Sequence, residues 1–192
     1  MTESPSDARA AAVAERVAGL VSADRWSADH GTAIVAVSPD RWVDAHAAVK
    51  AGFPFFSWLS AIDWSQEVSV GDPPSAEDVE ERYQVLSRLA DVSAGEAVIL
   101  TTDVPKSDAT LPTLTGVYGG ADWHEREAAE MFGIRFEGHP NLIKLYLPDG
   151  FEGHPLRKSF PLLSREVKPW PGDVNVEDMP STENVEAGED ES

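Results

Sequence analysis

The stretch ERYQVLSRLADVSAGEAVILTT, residues 81–102, carries the pattern that decides the fold. Residues 81–92 predict a strand with one buried face, because Tyr83, Val85 and Leu89 lie on one parity. Residues 96–102, with the apolar run AVIL at 97–100, predict a second strand. Because only Ser93, Ala94 and Gly95 separate the two, we expect an antiparallel hairpin.

The segments around this hairpin predict further elements. Residues 6–21 carry apolar side chains at helical spacing, and residues 31–38 form a short β-branched run typical of a strand. A helix opening at Ser38-Pro39-Asp40 continues to a stop at Gly52. Residues 55–64 predict a buried strand, and residues 111–118 predict a short helical turn.

This order of elements predicts an α+β domain over residues 1–136, with a small mixed, mainly antiparallel sheet covered by helices. Breaker residues at 66–78 predict a loop. Prolines recur from 137 to 172, so we expect an extended proline-rich arm there. The acidic segment 173–192 predicts a disordered tail that could order on a partner.

Composition limits the classes of function. The chain of 192 residues suffices for one domain, and its formal net charge of -19 argues against binding nucleic acid. Such acidity favours solubility, or alternatively steering toward basic partner surfaces. We expect neither a membrane span nor an export signal from the apolar pattern, so the chain should stay inside the cell.

The chain contains no cysteine. It therefore cannot form a disulfide, use a catalytic thiol or hold a thiolate-ligated zinc ion or iron–sulfur cluster. If this protein serves electron transfer, other chains hold the clusters.

The most informative segment is ADWHEREAAEMFG, residues 121–133. We expect a helix that Asp122 caps, with Glu125 placed for the other half of a capping box and Gly133 just beyond the last turn. Helical spacing directs the apolar side chains inward and Arg126 and Glu130 outward, while Glu125 and Glu127 flank the apolar stripe.

Two functions are open to the charged residues of this helix. Glu125, Arg126 and Glu127 could act in acid–base catalysis or, with His124, hold a metal ion. Neighbouring helical residues point in different directions, however, and a shared ion needs ligands three or four positions apart. The spacing therefore favours a solvated or partner-facing charged helix.

The tetrapeptide EGHP occurs at 137–140 and again at 152–155. Its histidines could ligate a metal, but Gly-His-Pro is also a simple way to turn the chain, and we favour the turn. The basic cluster at 156–161, followed by Arg165 and Lys168, either neutralises the chain's own glutamates or binds a partner's carboxylates or carbonyls.

These motifs together resemble a known family. The segments WHEREAAEMFGI (123–134), GHP (138–140), LYLP (145–148) and EGHPLRK (152–158) are similar to the signature of the C subunit of the respiratory NADH:quinone oxidoreductase, complex I. The resemblance is strong over residues 111–161. One departure is Ile143-Lys144, where the family often has a basic residue or proline at the first position.

The resemblance implies a non-catalytic accessory subunit of a proton-translocating enzyme, on the cytoplasmic side of the membrane and attached through the complex. Its partners would be the D, B and I subunits of complex I, with FMN, iron–sulfur clusters and quinone bound by partner subunits and no cofactor in this chain. The residues expected to serve assembly are Glu125, Arg126, Glu127, His139, Arg157 and Lys158.

Two rival hypotheses follow from the same residues. The same type of domain occurs in membrane-bound energy-converting hydrogenases and formate hydrogenlyase, so the host complex could be of that kind. The second rival is a free-standing metal-dependent enzyme that uses His124, His139 or His154 with nearby carboxylates.

Overall fold

The α+β class is confirmed by the computed structural model, which describes residues 4–23, 25–65 and 80–161. The described elements, in chain order, are α1 Pro5–Val21, β1 Arg25–Asp29, β2 Thr32–Ala36, α2 Trp42–Val49, β3 Phe55–Trp64, β4 Arg82–Asp91, β5 Glu96–Pro105, β6 Thr110–Pro112, α3 Ala121–Phe132 and β7 Arg135–Glu137. Single 3₁₀ turns at Pro39–Arg41 and Lys106–Asp108 lie between them.

The main sheet is mixed but mainly antiparallel, as predicted. Its strand order is β1-β2-β5-β4-β3, and only the central β2–β5 pair is parallel. The hairpin at its centre pairs Leu89 with Val98 across β4 and β5. Strands β6 and β7 form a separate parallel pair. This small pair positions the segment before α3 beside the segment after it.

The core lies between one side of the main sheet and the three helices. Helix α1 buries Val13, Val17 and Val21 at the predicted helical spacing. These side chains join the same buried cluster as Val35 of β2 and Leu100 of β5. Strand β5 alternates buried and partly exposed residues along most of its length, which is the period-two pattern of a sheet with one covered side.

Three local features differ from the sequence predictions. Strand β1 was not predicted, because its sequence RWSAD is largely polar; His30 and Gly31, both at positive φ, make the tight turn into β2. The helix predicted from Pro39 begins as a 3₁₀ turn. The predicted helical turn at 111–118 is partly β6, and only Leu114 to Tyr118 form a turn, closed by hydrogen bonds to the Leu114 carbonyl.

The C-terminal part of the described chain, residues 138–161, runs through successive turns without a further helix or strand. It belongs to the same compact unit as the preceding residues. We call residues 138–161 the C-terminal segment. The predicted loop at 66–78, the remainder of the predicted arm and the acidic tail at 173–192 lie outside the described residues.

Candidate partner-binding site around helix α3

Helix α3 spans Ala121–Phe132, and the sequence predicted its end correctly. Gly133 adopts the left-handed conformation (φ 74) and its N–H donates to the Ala129 carbonyl. A Cβ at this position would lie 2.6 Å from His154 Nε2, so glycine also permits the C-terminal segment to approach. The predicted start was wrong: Gly120 occupies the N-cap, and Asp122 lies within the first turn.

Two charged residues of α3, Arg126 and Glu130, do not point outward as the helical period predicted. Glu125 is 0% exposed, Glu130 is 7% exposed and Arg126 is 9% exposed. The prediction that Arg126 and Glu130 face away from the protein was therefore wrong. The C-terminal segment folds back over this side of the helix, and the following contacts show what each charge binds.

Glu125 holds the turn after β6 and does not form a capping box. Thr113 Oγ1 donates to its Oε2 at 2.5 Å, and the Leu114 N–H donates to its Oε1 at 2.6 Å. Burial raises the pKa of Glu125 to about 7, against the opposing effect of these two hydrogen bonds. Glu125 is thus part of the chain's own interior.

His139, the histidine of the first EGHP, contacts the beginning of α3. Its Nδ1 accepts a hydrogen bond from the Asn141 N–H at 3.0 Å, so Nε2 carries the ring proton in the neutral tautomer. That Nε2 lies 3.2 Å from the Asp122 carbonyl oxygen and 3.3 Å from Asp122 Oδ1. Glu125 Oε2 is 3.8 Å from the same nitrogen. His139 therefore links the C-terminal segment to the first two turns of the helix.

Arg126 and Glu130 bind the backbone of the C-terminal segment. Arg126 donates from Nε to the Ile143 carbonyl at 3.0 Å and from Nη2 to the Lys144 carbonyl at 3.2 Å. One turn further along α3, the Glu130 carboxylate accepts hydrogen bonds at 2.7–3.0 Å from three consecutive backbone N–H groups, those of residues 145–147.

The pKa of Glu130 responds to these contacts. Partial desolvation acts to raise it, but the three backbone donors together with Lys144 outweigh this effect and hold the pKa below its usual range. The carboxylate form is therefore the one that binds the segment.

The last carbonyl oxygens of α3 are contacted by the second EGHP and the residues after it. His154 Nδ1 lies 2.7 Å from the Glu130 carbonyl oxygen, the Leu156 N–H donates to the Met131 carbonyl at 3.1 Å, and Arg157 Nε donates to the Phe132 carbonyl at 2.6 Å. These three carbonyls lack partners within the helix, and a cation at this end also opposes the helix dipole.

Both EGHP repeats are turns, as predicted. Gly138 (φ 78) and Gly153 (φ 91) adopt the left-handed conformation that glycine favours, and each following histidine contacts a backbone carbonyl of α3. Within the described ranges no group of three or more His, Asp or Glu side chains is placed to share a metal ion.

Asp63 was not among the residues predicted to serve assembly, yet it holds the C-terminal segment to the main sheet. It lies at the end of β3 on the buried side, 4% exposed, where its Oδ2 accepts the Lys158 N–H at 2.9 Å and its Oδ1 pairs with Lys106 Nζ at 2.6 Å. Arg157 and Lys106 both lie over the ring of Tyr83, at 5.7 and 5.5 Å. The sequence signal for such a role was an aspartate within a largely apolar strand, because a buried carboxylate needs a hydrogen-bonding or charged partner.

Part of α3 and the C-terminal segment remains accessible. Glu127 makes no ion pair with any residue in the described parts of the chain, and Trp123, one turn earlier on the helix, is 61% exposed. The C-terminal segment adds Ile143, Tyr146 and Leu156, each more than half exposed. These residues form an apolar surface with a free carboxylate, which we call the α3 surface.

Of the six residues predicted to serve assembly, the structure therefore brings five into contact with other parts of the chain. Glu125, Arg126, His139 and Arg157 contact the chain through their side chains. Lys158 donates from its backbone N–H to Asp63 and from Nζ to the Ser65 carbonyl at 3.4 Å, and it stays exposed. Glu127 alone of the six makes no such contact. The assignment of all six to partner binding stays a prediction.

The fold and the site thus define an α+β domain with a helix-covered mixed sheet, in which α3 is bound to a following turn-rich segment. Residues 35–166 match the family described as respiratory-chain NADH dehydrogenase, 30 Kd subunit. The chain belongs to this family, and a relative named as a C subunit of NADH-quinone oxidoreductase supports the assignment.

Individual relatives agree with this membership. The chain is 36% identical over 163 residues to the C subunit of NADH-quinone oxidoreductase from Roseiflexus sp., covering 82% of this chain and 87% of that protein. It is 42% identical over 99 residues to the C/D subunit of NADH-quinone oxidoreductase from Methylococcus capsulatus, of which it covers 17%. The chain thus spans only a small part of the C/D relatives that it matches.

Two solved structures share the fold. One is a trypsin-resistant fragment of Nqo5, 30% identical with a TM-score of 0.53, matching 67% of this chain and 98% of that chain. The other belongs to an archaeal membrane-bound sulfane sulfur reductase; it is 21% identical with a TM-score of 0.66 over 81% of this chain and 87% of that chain, and it shows the fold alone. Among the described residues, no helix has the length and apolarity to span a bilayer.

Proposed function

We propose that this chain is a non-catalytic structural subunit of the peripheral arm of a proton-translocating NADH:quinone oxidoreductase. The family match over residues 35–166 is the observation that carries the proposal. The full sequence contains no cysteine, so cysteine-ligated clusters of such a complex belong to other chains. FMN, iron–sulfur clusters and quinone are accordingly assigned to partner subunits.

The proposed partners are the D, B and I subunits of complex I, on the cytoplasmic side of the membrane, with membrane attachment through the complex. Two sets of residues would serve assembly in different ways. Glu127 and Lys158 are accessible and would contact a partner directly. Arg126, His139 and Arg157 would act by holding the C-terminal segment on α3, and Glu125 by holding the turn after β6 against the same helix. Both would support the shape of the α3 surface.

The composition of the α3 surface supports a protein partner. Trp123 and Tyr146 are large, exposed and amphipathic, and such side chains are enriched at the centres of protein interfaces. Ile143 and Leu156 extend the apolar area. Burying this area against another protein of the complex would remove it from water at a gain of roughly 25 cal/mol per Å².

An energy-converting hydrogenase or formate hydrogenlyase is the alternative host complex. The fold shared with the archaeal sulfane sulfur reductase supports the idea that one domain type can serve different respiratory machines. The neighbouring genes discriminate the two hosts, because the large subunit of a hydrogenase has nickel-ligating cysteine pairs and the quinone-site D subunit of complex I does not.

We expect a tagged form of the protein, purified from its native membrane, to carry the B, D and I subunits with it. Glu127→Lys should weaken this association because it reverses the free carboxylate of the α3 surface, and Arg157→Glu should weaken it because it frees the end of α3. Co-purification, quantified by mass spectrometry, measures both effects.

A matched control for Glu127→Lys is Glu15→Lys, the same charge change at an exposed position of α1. It should leave the yield of partners unchanged. Full recovery of the partners by both Glu127→Lys and Arg157→Glu would remove the assembly assignment. A wild-type protein that brings down no respiratory subunit would refute the proposed function itself.

We also expect the purified protein to contain no stoichiometric transition metal. His124, His139 and His154 are the histidines that the metal-enzyme hypothesis would use, and two of them instead contact backbone carbonyls of α3. Elemental analysis after dialysis, with and without added zinc, measures the content. One zinc ion per chain that survives dialysis in the wild type and is lost in His139→Ala would support the metal enzyme instead.

A further inference from the structure

The main sheet has one side that the described helices do not cover. Helix α2 packs on the other side, where His46 Nε2 lies 2.6 Å from Ser87 Oγ, and so does α3, whose Phe132 ring meets Tyr83 at 6.4 Å. The buried side chains of α1 join the same core, and the C-terminal segment bonds to Asp63 on that side. We call the opposite side of the sheet the open face.

The open face is rich in large apolar side chains. Strand β3 alternates regularly from Leu59 onward, so that Ile62, which is 40% exposed, points away from the core. The registers of the sheet place residues of the same parity beside it across four strands. The apolar members of this face, partly or well exposed, are Ile34, Trp58, Ile62, Trp64, Leu86 and Ile99.

The charge of the open face differs from that of the whole chain. Its strand positions carry three arginines, Arg25, Arg82 and Arg88, against two aspartates, Asp29 and Asp103, whereas the chain has a formal charge of -19. Asp103 is already engaged, at 3.0 Å from Arg82 and 3.8 Å from Arg25. The open face is thus slightly basic on a strongly acidic protein.

Arg88 is the arginine of the open face that has no counter-ion among the described residues, whereas Arg25 and Arg82 pair with Asp103. It lies between Trp58 and Ile99 in one cross-strand row, is partly buried, and donates from Nη1 to Ser57 Oγ at 3.1 Å. It forms no ion pair with any residue that the structure describes. A partly desolvated guanidinium between apolar side chains gains most from a carboxylate that approaches from outside.

We propose that the open face is a second partner-binding surface of this protein, which takes an apolar protein surface with a carboxylate opposite Arg88. The inference rests on the proposed function, since the partner is a neighbouring subunit of the same complex. Aromatic side chains together with arginine, with few acidic groups, form the composition that distinguishes the centre of a protein interface. Elsewhere the acidic surface repels such a carboxylate, so the charge also orients the partner.

Two open-face variants of the full-length tagged protein test this proposal. Ile62→Asp introduces a carboxylate into the apolar area, and Arg88→Glu reverses the unpaired charge. Each should lower the recovery of at least one neighbouring subunit from native membranes by about tenfold or more, because both changes fall at the centre of the surface. Arg88→Lys keeps the charge but not the bidentate geometry of the guanidinium, so it should lower this recovery less than Arg88→Glu does.

Matched controls separate this effect from general damage. Leu20→Asp and Arg9→Glu make the same chemical changes at exposed positions of α1, which packs on the other side of the sheet, and they should recover all subunits as the wild type does. Thermal unfolding followed by circular dichroism checks that the variants fold. Ile62 is the safer position for this purpose, because it is exposed on an edge strand.

The outcomes are distinct. If the wild type recovers its partners and both folded open-face variants do so equally well, the open face is not an interface and this inference fails while the proposed function stands. If the wild type recovers no respiratory subunit, the proposed function fails first. If the purified chain instead forms a dimer that Ile62→Asp dissociates, measured by light scattering, the occupant is a second copy and the proposed partner is wrong.

Discussion

Glu125→Ala should lower the free energy of unfolding by about 3 kcal/mol, because it leaves the buried Leu114 N–H without an acceptor and opens a cavity. Near pH 5, Glu125→Gln should have the same free energy of unfolding as the wild type. Its amide oxygen can accept from the Leu114 N–H, and its amide nitrogen can donate to Thr113 Oγ1. Chemical denaturation of the three proteins at several pH values measures the difference.

The pH dependence of Glu125 has a definite sign. Its pKa in the folded protein, about 7, lies above the ordinary value of 4.5, so the folded state favours the protonated carboxyl. The contribution to stability is therefore complete below about pH 4.5 and is lost as the pH rises through 7. Ionisation above pH 7 should cost on the order of 3 kcal/mol in the wild type, and Glu125→Gln should abolish that cost. A parallel pH dependence in the wild type and Glu125→Gln would show that the carboxyl is not held protonated.

In assembly experiments, variants of Glu125 report on folding and not on partner contact. Because the side chain has no exposed area, a variant that fails to assemble would report lost folding of the turn after β6. Glu127, two residues further along α3 and partly exposed, is the position that tests partner contact.

Glu130→Ala should release the C-terminal segment from α3. The substitution removes the acceptor of three backbone hydrogen bonds from residues 145–147, and bonds to a charged group contribute roughly 1.5–3 kcal/mol each when they are shielded from water. Because the segment is partly exposed, we expect a net loss of stability of about 1.5 kcal/mol, the lower value for one such bond. Hydrogen exchange of these three amides should become much faster than that of β5.

Trypsin provides a second readout of the same change. Lys144 is exposed and Arg157 partly so, and both lie in the segment that Glu130 and its neighbours hold, so cleavage there should accelerate in Glu130→Ala. Glu127→Ala is the matched control on the same helix and should cleave at the wild-type rate. Equal rates in all three proteins would show that the carboxylate does not hold the segment.

Acid should imitate Glu130→Ala. The pKa of Glu130 is below its usual range in the folded state, so its contribution is present above about pH 4.5, the ordinary value, and is lost as the pH falls through the lowered pKa. Exchange at residues 145–147, corrected for the intrinsic rate, should therefore rise on acidification in the wild type and not in Glu130→Ala.

The sequence predicted α3 and its end correctly but misjudged the direction of its charges. The helical period shows which residues share a side, and charged residues on an isolated helix normally face water. Here Arg126 and Glu130 are covered by residues 143–147, because backbone groups of a turn-rich segment need partners that the side chains of α3 supply. No local pattern reveals that a segment 15 or more residues later in the chain returns to the same helix.

The two EGHP repeats show which features a local pattern predicts and which it does not. Each was predicted as a turn, and both glycines adopt positive φ, because this preference belongs to the residue itself. The role of each histidine as a contact to α3 depends on where the turn lies in space. Likewise, Asp63 was visible as an aspartate in an apolar strand, but its partners Lys106 and Lys158 are brought to it only by folding.

The sequence by itself determined the α+β class, the central hairpin, the extent of most elements and, through its motifs, membership of the family of complex I C subunits. These features depend on local preferences and periodicity, which neighbouring residues settle among themselves. The tertiary structure alone decided which charges of α3 are internal and which side of the sheet the described helices leave uncovered. Both depend on contacts between residues far apart in the chain, where burial and hydrogen bonding outweigh the preferences of any single segment.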